Sequence, residues 1–249
     1  MAAGNRKRSG ENARRAPLAL DRILVVKAAL ELLDDGGLEA FNMRALAQRL
    51  GTYPATVYWH VGNRNEVLSA VLEMVFDEIA LPEPGVVLWD EWLARLAREY
   101  RTVMQRHPAL GAWVASHLYS RLTAPTMTES ILAMLYRGGF RDRQLASAFN
   151  AFVGSLVGWV ATEMISTESD FGADWAREYE DQIRDLPVEG YPTIVGNVDV
   201  LADEVFSLRW HGGSDKPLDS SFEFAVQVWL NGLRGMLLQQ EVDKRADQP

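Results

Sequence analysis

Between Gly51 and Asn63 the chain reads GTYPATVYWHVGN, a run crowded with aromatic and hydroxylated side chains. On a helix, Val57 and Val61 lie four residues apart and share a face. Turning those two inward sends Ala55 and Trp59 outward, with Tyr53, Thr56, Tyr58 and His60 on the flanks. Small, hydroxylated and polar-tipped aromatic side chains on one projecting helix can touch thymine methyls, base edges and phosphate oxygens. The competing reading packs Tyr58 and Trp59 between helices. It fails for the two together, because adjacent helical residues do not share a face.

Other chemistry lacks its residues. No Gly-rich phosphate loop follows a strand pattern, and neither G-x-S-x-G nor H-E-x-x-H occurs. The four histidines are scattered, and the acidic run 178–182 reads as a solvated helix face rather than a metal site. Without cysteine, disulfides and thiolate metal sites are excluded, and a reducing cytoplasm is the natural setting. No catalytic group, metal or cofactor is expected. The most apolar run, 151–162, is broken by Glu163 and is too short to cross a bilayer, so no membrane association is expected.

Positioning the 51–63 run requires neighbouring helices. LDRILVVKAALELLDD (20–35) places Ile23, Val26, Leu30 and Leu33 on one face, and Gly36-Gly37 ends it. In FNMRALAQRLG, Asn42 is a fitting N-cap, and Met43, Leu46, Ala47 and Leu50 form a stripe. Pro54 suits the first turn of a third helix. Asn63 and Glu66 then have the spacing of a capping box for a fourth, whose inner face is Leu68, Val71, Leu72 and Val75. Three short helices with a tight turn between the second and third form a helix-turn-helix, whose last helix fits the major groove.

Charge is divided the same way. Residues 1–65 hold ten Lys/Arg against six Asp/Glu; residues 66–249 hold fifteen against twenty-eight. A basic head on an acidic body suits a polyanion partner. Residues 1–19 form a basic tail, either a loose solubilising segment or an arm reaching DNA.

FNMRALAQRLGTYPATVYWHVGNRNEVL (41–68) resembles the DNA-binding domain of TetR-family transcriptional regulators, the tetracycline-repressor branch in particular. That resemblance places Arg44 beside the groove, able to pair with a guanine. It sets Tyr53, Pro54, Ala55 and Tyr58 where the family reads bases, and Thr56, Trp59, His60 and Arg64 where it grips phosphate. The sequence departs from the pattern twice. Tyr53 stands where a Ser or Thr N-cap is common, which leaves Thr52 as a substitute cap. Gly62 stands where a lysine is common, which removes one phosphate contact.

Past residue 80 the patterns stay helical: 89–108, 109–122, 125–137, 144–165, short helices near 174–185 and 197–208, and a last one over 221–242. The fold expected is all-α, with a helix-turn-helix domain over 20–66 and a helical ligand-binding and dimerisation domain over 67–249. Fragments such as LYRGGF and FEFAVQVWLNGLRGML resemble the family's C-terminal domain. Seven of the eight tryptophans lie in this body, to be read as core or as an aromatic effector pocket. Candidate pocket residues are His107, Trp113, Ser116, His117, Asn150, Trp159 and Glu163.

Gly154 and Gly158 are four apart; Gly232 and Gly235 are three apart on the last helix, near Trp229. Helical glycine costs about 1 kcal/mol relative to alanine, which close approach of another helix can offset, within one subunit or across a homodimer. The resemblance implies the second: paired late helices forming a four-helix bundle.

The sequence therefore points to a homodimeric repressor of a palindromic double-stranded DNA operator, released by a largely apolar small molecule. Two alternatives stand beside it: a constitutive DNA-binding protein without a ligand, and an enzyme built on the helical body.

Overall fold

A computed structural model describes residues 21–83, 85–117, 125–164, 174–211 and 215–246; within these it leaves out the side chains of Ala112, Ala115, Ser116, His117, Glu241 and residues 243–246. The basic tail expected at 1–19 lies outside the described residues. Among them there is no strand, and the all-α expectation holds.

The head is built from α1 (Arg22–Ala40), α2 (Met43–Arg49), α3 (Pro54–Val61) and α4 (Arg64–Phe76). Asp21 caps α1, its carboxylate accepting from Leu24 N at 2.7 Å. The helical path of α1 breaks at Gly37, whose φ of 70° ends the regular turns where the glycine pair predicts. The buried face of α1 is Val25, Val26, Ala29 and Leu33, and Ile23 is 60% exposed, against expectation. The run ILVV is apolar all round, so periodicity alone left the facing side ambiguous. Asn42 caps α2 by accepting from Arg44 N and Ala45 N. Both halves of the Asn63/Glu66 capping box are formed at α4. All four expected inner residues of α4 are buried.

α1 packs on α2, α3 and α4. Arg49 of α2 also reaches back to Glu31 (3.2 Å) and Asp35 (2.7 Å) of α1. These contacts are solvent-exposed, so they fix orientation more than they stabilise.

The body contains α5 (Trp89–Arg106), α6 (Pro108–His117), α7 (Pro125–Gly138), α8 (Asp142–Met164), α9 (Trp175–Arg184), α10 (Pro192–Gly196), α11 (Val198–Leu201) and α12 (Asp219–Ala246). The single helix expected over 197–208 is instead α11, an irregular turn and a 3-10 turn at Phe206–Leu208. α6 lies against α8, α5 and α1, so it touches both body and head. α5 packs on α7, α8 and α12.

α8 runs well beyond 151–162 and, by length and composition, is apolar enough to cross a bilayer. Its composition has a second explanation in this fold. Phe152, Leu156, Val160 and Met164 are buried in the core, while Gly154 and Gly158 belong to an open face. The core is continuous through head and body: Val57 and Leu68 belong to the same apolar cluster as Trp92, Met104 and Phe222.

Candidate nucleic-acid interface and effector cavity

The geometry of α3 follows from its two ends. At the α2–α3 turn Gly51 has φ 63°, a left-handed conformation that lets the chain reverse after Leu50. Tyr53 occupies the N-cap position of α3 without any side-chain cap, and Thr52 does not replace it. The first turn is held by backbone alone, through Thr56 N to Tyr53 O at 3.0 Å.

At the far end Gly62 has φ 77°, and a Cβ built there would collide with the Glu66 carboxylate, which accepts from Asn63 N. A lysine at this position would strain the backbone and displace the Glu66 carboxylate from the capping box.

Val57 and Val61 are fully buried, as their spacing predicts. Trp59 is 82% exposed, Tyr53 80% and Tyr58 50%. Ala55 is exposed, and Pro54, Thr56 and His60 are half-buried beside it. Trp59 and His60 meet edge to face at 4.6 Å, which steadies the histidine ring beside the outward face. Arg44 is exposed at the start of α2 with no ion-pair partner among the described residues.

Arg64 is the exception among the expected contacts. Its guanidinium turns inward, donates to Phe41 O (3.4 Å) and Leu38 O (3.3 Å), and lies over the Phe41 ring. It closes the α1–α2 loop instead of presenting its charge to phosphate.

The candidate effector residues do not converge. Asn150 lies on the exposed face of α8. Trp113 is core. Trp159 sits in an aromatic cluster with Phe206 (4.9 Å), Phe222 (6.2 Å) and Trp229 (6.3 Å), so Trp229 also packs largely within its own subunit. The side chains of Ser116 and His117 lie outside the described residues.

Glu163, fully buried, takes the Arg101 guanidinium at 2.7 and 2.8 Å and accepts from Leu218 N at 2.8 Å. Arg101 also reaches Asp219 at 2.8 Å. Burial opposes the Arg101 charge, but these carboxylates outweigh it and hold its pKa above the ordinary arginine value. Glu163 is thus fully engaged in a clamp joining α5, α8 and the start of α12, and it is not free to bind a ligand.

His107 bridges head and body. Its Nδ1 lies 2.9 Å from Asp34 of α1, and its Nε2 lies 3.4 Å from Glu78, just past α4. Arg106 pairs with the same Glu78 at 2.8 Å.

None of the described candidate effector residues, His107, Trp113, Asn150, Trp159 or Glu163, lines the cavity beside α4. That cavity, about 680 Å³, lies between the end of α4, the start of α5 and the start of α7. Phe76, Ile79, Leu81, Trp92 and Met127 give it an apolar lining; Glu73, Asp77 and Glu83 add carboxylates. Its signal in the sequence is weak: two acids on the last turns of α4, where the helix dipole disfavours negative charge.

Gly154, Gly158, Gly232 and Gly235 all have open space where a Cβ would stand, so among the described residues no helix of the same subunit crosses close to them. Beside them on α12 is an exposed apolar stripe of Phe224, Val228, Leu238 and Val242. A groove of about 220 Å³ between α8 and α12 runs through Ala151, Ser155, Val228, Gly232 and Met236.

Comparison with known proteins matches two family descriptions in succession. "Bacterial regulatory proteins, tetR family" covers residues 25–71, and "Tetracyclin repressor-like, C-terminal domain" covers 81–237. An HTH-type transcriptional regulator of Saccharopolyspora erythraea is 30% identical over 190 residues, 76% of this chain and 79% of that one. The class C tetracycline repressor protein of Escherichia coli is 27% identical over 224 residues, covering 88% and 93%. The crystal structure of the Streptomyces coelicolor TetR family protein ActR in complex with actinorhodin superposes with a TM-score of 0.66 at 25% identity, covering 86% and 95%. These relatives are transcriptional regulators rather than enzymes. With a short helix displaying aromatic side chains at one end, a helical body behind it and both family descriptions matched in order, the chain belongs to the TetR family of DNA-binding transcriptional regulators.

Proposed function

We propose that the protein is a homodimeric repressor that inserts α3 of each subunit into the major groove at the two halves of a palindromic operator, and that a small molecule in the α4–α5–α7 cavity releases it. The observation that carries the reading is the outward face of α3. Large aromatic side chains are not normally left to water on a short helix, and here Tyr53, Tyr58 and Trp59 are displayed beside an exposed Arg44. Tyr53, Pro54, Ala55 and Tyr58 meet base edges; Thr52, Thr56, Trp59 and His60 meet the backbone.

The second subunit covers the stripe on α12 and the small residues of α8. An apolar face of this kind marks an interaction surface, and a pairing of like faces closes as a two-fold dimer. Two reading heads then match half-sites about one helical turn apart or a multiple of it.

The cavity supports an effector-responsive protein over a constitutive one. Glu73, Phe76 and Asp77 of α4 form part of its wall, and Glu78 beside them anchors His107 and Arg106. α4 follows α3 directly through the Asn63 cap and packs on α1. A ligand that pushes this wall moves the helix on which the head rests. It weakens operator binding only if it binds the non-operator geometry more tightly.

Gel-shift titration on DNA flanking the protein's own gene tests the reading. Wild type should give a saturable, competitor-resistant complex whose affinity falls steeply with salt. Tyr58→Ala/Trp59→Ala should abolish that complex while thermal stability is kept. A variant that loses its fold, or one that binds as before, overturns the assignment of α3.

A further inference from the structure

We propose that the cavity is built for organic cations: lipophilic molecules carrying a positive charge. The inference rests on the effector-site reading above and adds the chemistry of the ligand.

Three observations combine. The lining is apolar, with half-buried Phe76, Leu81 and Met127 facing the cavity and Trp92 buried behind them. Trp92 is fixed in place by donating its indole N–H to Pro82 O at 2.9 Å. Three carboxylates, Glu73, Asp77 and Glu83, share the cavity, and no Lys, Arg or His appears among its described lining residues. None of the three has an ion-pair partner among the described residues. Neighbouring acids do: Glu78 holds Arg106, Asp90 holds Arg234 at 2.6 Å, and Glu91 holds Arg95.

The third observation is the backbone. Glu73 and Asp77 stand at the C-terminal end of α4, which has no basic residue in its last turn. The carbonyl end of a helix carries partial negative charge, so both acids sit where their charge is least welcome. Among the described residues the cavity therefore concentrates negative potential over an apolar floor. A cation offsets that potential and can lie against the Phe76 ring, while the apolar part of the ligand leaves water. An anion of the same shape meets repulsion from all three carboxylates.

Tetraphenylphosphonium and tetraphenylborate, nearly equal in shape and opposite in charge, provide the test with the full chain. Isothermal titration in sodium buffer should show saturable binding of the phosphonium and none of the borate. Glu73→Gln/Asp77→Asn/Glu83→Gln should weaken phosphonium binding at least tenfold, about 1.4 kcal/mol, with its folding checked by circular dichroism.

A charge-matched control, Glu178→Gln/Asp181→Asn/Glu189→Gln, removes three acids that do not line the cavity and should bind as wild type does. Equal affinity for both ions, an unweakened cavity variant, or equal weakening in the control overturns the inference. Operator binding by the unliganded protein separates the two readings. A protein that shifts operator DNA without preferring the cation remains a regulator with different ligand chemistry. One that selects the cation but shifts no DNA keeps the site and loses the repressor.

Discussion

Replacing Glu163 discriminates between a ligand contact, as the sequence suggests, and the clamp the structure shows. Glu163 is completely buried and accepts three hydrogen bonds, two from Arg101 and one from Leu218 N. Glu163→Ala leaves the largely buried guanidinium with Asp219 alone and strips the Leu218 N–H of its acceptor. Removing one member of a buried ion pair costs about 3–5 kcal/mol, a large part of a domain's stability of about 5–15 kcal/mol. Arg101→Met should cost a similar amount by stranding the carboxylate.

The double variant Arg101→Met/Glu163→Leu should cost much less than the sum. It removes both charges together and leaves only the Leu218 N–H orphaned, worth about 1–3 kcal/mol. Urea denaturation followed by circular dichroism, at one fixed protein concentration, gives the three values and their coupling. A loss below about 1 kcal/mol for Glu163→Ala, or a double variant equal to the sum of the singles, would refute the clamp and return Glu163 to the ligand set.

Leucine at Gly154 or Gly158 should leave each subunit folded, because the space there is open, yet shift the protein toward monomer on size-exclusion chromatography and weaken operator binding; an unchanged dimer removes α8 from the interface. Gly62→Lys should destabilise by about 1–3 kcal/mol in thermal melts, since the positive φ and the Glu66 carboxylate both oppose a side chain, and a neutral result would mean the capping box opens freely. Asp203 is held below the ordinary carboxylate range: burial raises its pKa, but hydrogen bonds from His211 and Trp210 outweigh burial. Its contribution should be complete above the unfolded pKa of about 4 and disappear as pH falls through the lower folded value. Asp203→Ala should therefore lower the melting temperature at pH 7 and lose its difference from wild type in strong acid; a pH-independent difference contradicts the carboxylate's role.

What was legible in the sequence was local. The Asn42 cap, the Asn63/Glu66 box and the inward pair Val57/Val61 depend on residues within one or two turns, and all three are formed. The outward display of Trp59 follows from the same period. Failures came where distance or degeneracy intervened. Ile23 was placed inside because an all-apolar run does not say which side faces the core. Arg64 turns onto carbonyls 23 and 26 residues back, a contact no local pattern encodes. Glu163 meets Arg101 across 62 residues, and a buried glutamate on an apolar helix reads the same whether its partner is a ligand or an arginine. The cavity has no sequence signature of its own, because its walls come from three separate segments.

The exposed face of α3 lets such a protein change its surface without changing its fold. Tyr53, Ala55 and Trp59 contribute little to the apolar core, which Val57 and Val61 supply on the opposite side. Substitutions on the outward face therefore cost little folding stability, typically within about 0.5 kcal/mol for exposed positions. On the proposed function, DNA preference and foldability lie on opposite sides of one eight-residue helix. After gene duplication, a copy can drift toward a new operator one outward residue at a time, without passing through an unfolded ancestor.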